Sequence, residues 1–143
     1  NMGEYSKALG HYEKALQMLE KSLPANHPDV ANSYNNIAAV YCNMGEYSKA
    51  LGHYEKALQM LEKSLPANHP DVANSYNNIA AVYCNMGEYS KALGHYEKAL
   101  QMREKSLPAN HPDVATSYNN IAMVYDHMGE YSKALGHYEK ALQ

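Results

Sequence analysis

The chain has 143 residues, a formal charge of −3 and a pI of about 6.2. That length suits one ordinary domain, and the acidic balance leaves no basic footprint for nucleic acid and no polybasic patch for a membrane surface. No apolar run approaches the roughly 18 residues of a spanning helix, and no signal-peptide pattern opens the sequence.

The first element is an apolar stripe of helical period over about residues 3–23, in which Tyr5, Leu9, Tyr12 and Leu16 share a face. A second stripe follows from about Pro28 to Met44. Asn26, Pro28 and Asp29 are its start signals, because proline suits the first turn and a carboxylate suits the positive end of a helix. Val30, Tyr34, Ile37, Ala38, Tyr41 and Met44 then recur on one side, and Gly45 supplies a left-handed stop. A third stripe over about Glu46–Ser64 carries Tyr47, Ala50, Leu51, Tyr54, Ala57, Leu58 and Leu61. The segment from Pro66 to Pro70 returns the chain.

The rest repeats this pair. NMGEYSKAL begins at Asn1, Asn43 and Asn85, and HMGEYSKAL begins at His127, a period of 42 residues. Residues 1–42 and 43–84 are identical, and 85–126 depart from them only at Arg103, Thr116, Met123 and Asp126. The organisation is therefore one array over residues 1–143, with a leading second helix (1–25), repeats at 26–67 and 68–109, and a shortened repeat at 110–143. One hairpin of two amphipathic helices cannot cover its own apolar faces, but stacking on a copy can. The predicted fold is all-α, an α-solenoid superhelix of stacked antiparallel helical hairpins, seven helices in all. The 14 tyrosines fall on the inward stripes and read as core residues. Cys42 and Cys84 sit one repeat apart, too far for disulfide geometry. Free thiols favour an intracellular, cytoplasmic setting.

Tyr34, Ile37, Ala38, Tyr41, Gly45, Tyr47, Ala50, Tyr54 and Ala57 follow the large-small-aromatic order of the tetratricopeptide repeat (TPR), and the pattern resembles that family. The 42-residue period, the HPDV of His27–Val30 and the SYNNIA of Ser33–Ala38 resemble the repeats of kinesin light chain. The resemblance implies a scaffold that binds a protein or peptide on a concave face lined by first helices. It also implies that Asn36, Asn78 and Asn120 match an asparagine that contacts bound peptide in this family.

Candidate chemistry points the same way. The eight histidines recur with the repeat, and no pair has the i, i+4 spacing of a helical zinc site. Glu13, Lys14, Glu20 and Lys21 and their copies read as solvated helix faces. There is no phosphate loop and no nucleophile elbow, so neither catalysis, a metal nor a cofactor is expected. The asparagines are more informative. The side of the first helices away from the tyrosines carries Asn32, Asn35 and Asn36, then Asn74, Asn77 and Asn78, then Thr116, Asn119, Asn120, Met123, Asp126 and His127. An amide offers both donor and acceptor, which suits an extended peptide. The same face also reads as a polar solvated surface of a purely structural, native or engineered, array.

The differences between copies fall mainly on this face. With acid and no base there, the favoured ligand is neutral or mildly basic. Arg103 replaces a leucine on the inner edge of a second helix, and the expectation is a stem packed flat with its head in water. The terminal helices lack a first-helix neighbour, so Tyr5, Leu9, Tyr12 and Leu16 at one end, and Tyr131, Leu135, Tyr138 and Leu142 at the other, are expected partly bare and open to head-to-tail self-association.

Overall fold

A computed structural model describes residues 2–142, and all regular structure among them is helical. The order is α1 (Met2–Ser22), α2 (Pro28–Asn43), α3 (Tyr47–Ser64), α4 (Pro70–Asn85), α5 (Tyr89–Ser106), α6 (Pro112–His127) and α7 (Tyr131–Leu142). Successive helices pack as antiparallel pairs. The chain divides into two compact units, Asn1–Pro66 and Ala67–Gln143. The first holds α1, α2 and α3, and the second holds the pairs α4–α5 and α6–α7, joined by packing of α5 on α6.

Each first helix starts on a histidine. His27 lies in extended backbone, and its Nδ1 accepts the backbone N–H of Asp29 at 3.1 Å. His69 and His111 do the same for Asp71 and Asp113. The cap is therefore one residue later than the Asn26 start signal. Asn26 instead takes a left-handed conformation in the connecting loop, with φ of 68°, a region that asparagine tolerates better than most residues. The other end follows the glycine expectation. Gly45 has φ +79°, its N–H donates to Cys42 O at 3.0 Å, and Glu46 N–H donates to Tyr41 O at 2.8 Å. That pair of bonds is a Schellman motif, repeated at Gly87 and Gly129.

The core alternates bulky and small residues. In the first unit Ile37 and Leu61 are each 1% exposed, and Ala38, Ala50 and Ala57 expose nothing. In the second, Ala80, Ala92, Tyr96, Ile121 and Val124 form one cluster. Alanines at the crossings let the helices approach, and the branched chains fill the space between them. Tyr54 and Tyr96 are buried enough that their hydroxyls titrate at about 12 rather than 10.0, chiefly through desolvation. Their phenols in the unfolded chain lose the proton first. The tyrosine contribution is therefore full below pH 10 and is lost as pH rises toward 12, by on the order of 2 kcal/mol for each. Burial raises the Cys42 and Cys84 thiols above their ordinary 9.0 in the same sense, so unfolding midpoints measured from pH 7 to 12 should begin to fall near pH 9 and fall most steeply above pH 10.

Gly10, Gly52, Gly94 and Gly136 stand inside second helices, and a Cβ on any of them meets no heavy atom within 4 Å. Glycine in an open helical site costs about 1 kcal/mol against alanine. Gly52→Ala and Gly94→Ala should each raise stability by about that amount, and together by about the sum, in urea denaturation. A null or negative result would show that these sites make close contacts.

The end helices are barer at one end than at the other. Tyr131, Leu135 and Leu142 of α7 are 67%, 60% and 88% exposed. In α1, Tyr12 is exposed and Tyr5 and Leu9 are half-buried, but Leu16 is buried at 9%, contrary to expectation. Among the described residues no helix is long and apolar enough to cross a membrane.

Candidate functional site

The inner side of each hairpin is occupied by a repeated aromatic cluster. His53 on α3 donates Nδ1–H to the carbonyl of Lys49 at 2.9 Å, and its ring tilts against Tyr34 and Tyr41 with centroids 6.0 and 5.3 Å away. Lys49 and Lys56 lie over the same tyrosine rings at 5.6 and 5.5 Å. His95 and His137 repeat the arrangement. These histidines are packing residues whose ring tautomer follows from the carbonyl they face. Among the described residues no group of three His, Cys, Asp or Glu side chains comes close enough to hold a metal ion.

The glutamates of the second helices are less idle than solvated faces. Tyr34 Oη donates to Glu20 at 3.1 Å, and Tyr118 Oη donates to Glu104 at 2.8 Å. Both tyrosines are pushed above their ordinary pKa: Tyr34 first by burial, Tyr118 first by its hydrogen bond to Glu104. Each pair borders a cleft on the loop side of its first helix, of about 370 Å³ at Glu20, Val30 and Lys56 and about 540 Å³ at Glu104, Val114 and Lys140. Neither cleft was expected from the sequence. Their signal was the recurrence of Glu, Tyr and Lys at matching repeat positions.

On the far side of the first helices the asparagine set divides. Asn32 and Asn36 on α2 are exposed, while Asn35 is half-buried and its Oδ1 is buried without a hydrogen-bond partner. On α4, Asn78 is half-buried; on α6, Asn119 and Asp126 are exposed, Asn120 is half-buried, and Met123 is 38% exposed. Thr116 is exposed, but its hydroxyl donates to Pro112 O at 3.0 Å within its own helix. His127 is exposed as well. Its ring stacks on Tyr89 of α5, with centroids 5.8 Å apart and planes 11° off parallel, because the last turn of α6 points its side chain toward the start of the neighbouring helix.

Asn74 and Asn77 are joined by a residue expected elsewhere. Arg103 is only 6% exposed. Its head is not in water. One terminal nitrogen donates to Asp113 O at 3.1 Å and to Ser117 Oγ at 2.9 Å, and the other donates to Asn74 Oδ1 at 2.8 Å. Asn77, with its amide oxygen turned toward the guanidinium, accepts from both nitrogens at 2.7 and 2.9 Å. The stem thus threads from α5 between α4 and α6. Burial pulls the arginine pKa below its ordinary range, and the Asp113 carboxylate offsets part of that. A buried base therefore lies beneath this face, although the face itself exposes no lysine or arginine. A long side chain on a second helix reaches the first-helix side when the position is at the seam.

Taken as chemistry, the first-helix side offers amides, a hydroxyl, one thioether and one carboxylate, held on rigid helices. That set can hydrogen-bond and pack, and it suits recognition of another chain. The family model described as tetratricopeptide repeat matches residues 1–63 and 71–143. Comparison with curated proteins finds no match. Among solved structures, the chain is similar to BtubC (BKLC) from P. vanneervenii, at 26% identity and a TM-score of 0.87, covering 97% of this chain and 56% of that one. It shares its fold with the nearly identical TPR-like repeats of a Podosopora anserina kinesin light chain, at 24% identity and a TM-score of 0.81, covering 97% and 66%. It also shares its fold with the apo form of RapI, at 23% identity and a TM-score of 0.81, covering 98% and 49%. The chain spans less than two thirds of the length of each of these three. Helical hairpins of this period, their capping glycines and the extent of the family match lead to one conclusion: the chain belongs to the tetratricopeptide repeat family.

Proposed function

We propose that this chain is a protein-interaction scaffold and that the polar side of its first helices takes a peptide or adaptor segment. The observation that carries the reading is the contrast along α6. Asn119, Met123 and Asp126 are exposed while Ile121, Ala122 and Val124 of the same helix are buried. The copy-to-copy differences at Thr116, Met123 and Asp126 all lie at exposed positions. Rigid helices with adaptable amides and a soft thioether make a surface that binds without a large ordering cost. Tetratricopeptide repeats are in general interaction scaffolds, which supports the same reading.

A random 12-residue peptide library displayed on phage and selected on the intact chain tests it. Selected peptides should lose binding with Asn78→Ala, Asn120→Ala or Met123→Ala. Peptides indifferent to all three changes would place the site elsewhere, and an empty selection would favour a structural array. Self-association belongs to the proposal as well, supported by the exposed Tyr131, Leu135 and Leu142. Sedimentation should then depend on concentration, and a monomer at all concentrations would count against it.

A further inference from the structure

Arg103 is the chain's single arginine and stands where the two earlier copies carry Leu19 and Leu61. Its acceptors are uncharged: two side-chain amide oxygens, a hydroxyl and a backbone carbonyl. Among the described residues, the buried side-chain atoms without a partner are Asn35 Oδ1 and Ser75 Oγ, the equivalents, one repeat earlier, of its acceptors in Asn77 and Ser117. The repeat therefore carries these acceptors in more than one copy, and Arg103 supplies the donor in one.

The consequence concerns the amides. A side-chain amide free of partners rotates and offers either its oxygen or its nitrogen. A planar guanidinium that bonds two amide oxygens at once removes that freedom. We infer that Arg103 is a positioning residue for the asparagine side of α4, turning Asn74 and Asn77 so that the groups left to a ligand are their Nδ2 donors. The patch then selects ligands that present acceptors, namely successive carbonyl oxygens of an extended peptide backbone. This rests on the scaffold reading above and adds the polarity of the patch to it. Lysine cannot replace arginine here, because a single ammonium lacks the planar fork that holds two amides in fixed orientation.

The test uses the intact chain, a peptide selected from the phage library, and the variants Arg103→Leu, Arg103→Lys and Asn78→Ala. Arg103→Leu should fold, since Leu61 occupies the same place in α3 and is buried at 1%. Both Arg103 variants should weaken peptide binding by about tenfold, with the charge kept in one and lost in the other. In nitrogen-15 relaxation measurements the side-chain NH2 groups of Asn74 and Asn77 should be rigid in the parent and more mobile in both variants. Three results overturn the inference. If Arg103→Leu binds like the parent while Asn78→Ala does not, the positioning role fails and the scaffold reading stands. If Arg103→Lys alone restores binding, charge and not amide orientation is what the ligand senses. If no peptide is selected, or those selected are indifferent to Asn78→Ala, Asn120→Ala and Met123→Ala alike, the reading of this side as the binding site fails and takes this inference with it.

Discussion

Arg103→Ala is expected to lower stability by about 3 kcal/mol, the sum of a cavity and of buried acceptors left without donors. The truncation removes a side chain that is 6% exposed and strands Ser117 Oγ and Asn77 Oδ1. Arg103→Leu should recover most of the loss. Leucine refills the volume, and exchanging a buried charge for an apolar side chain of similar size is often close to neutral. Leu61 already stands at this position in α3, and the equivalents of two of the acceptors, Asn35 Oδ1 and Ser75 Oγ, are buried without partners. Urea denaturation of the three chains separates the terms. Had the guanidinium been in water, as its position at the helix edge first suggested, alanine and leucine would both be nearly silent.

Ile121→Ala is expected to cost about 3–4 kcal/mol, and Met123→Ala, two residues away, less than about 0.5 kcal/mol. Ile121 is 1% exposed in the cluster with Ala80, Ala92, Tyr96 and Val124. Its truncation leaves a void that alanines on both neighbouring helices are too short to fill. Met123 is 38% exposed. The pair therefore measures the two sides of α6 with one helix as its own control. Similar losses at both positions would mean that the polar side of the helix is not an open surface.

The helices were legible in the sequence because period, glycine stops and the Pro-Asp starts all agree within each copy. Ile37, Ala50, Tyr54 and Leu61 stood on the stripes and are buried. Asn26, Pro28 and Asp29 marked the start, but the cap itself is His27, which stood out less because a histidine before proline carries no obvious signature while its Nδ1 reaches the same N–H that an asparagine oxygen would reach. The asparagine side was only half legible. Angular position on one helix predicts which side a residue faces, but not what enters from the next helix. That is why Asn35 and Asn77 were assigned to an open surface, and why Arg103 was sent to solvent. A charged residue replacing a leucine on a stripe, with asparagine and serine at matching positions of the neighbouring helices, is the pattern that in retrospect announces a buried guanidinium.

The central claim is that the polar side of the first helices receives a peptide. The direct measurement is a nitrogen-15 chemical-shift titration of the intact chain with a library-selected peptide. The account predicts perturbations concentrated on Asn78, Asn119, Asn120 and Met123, with little change at the second-helix surface positions Glu97 and Lys98. Shifts confined to Val114, Tyr118 and Lys140 on the loop side, or to the second helices, would contradict it.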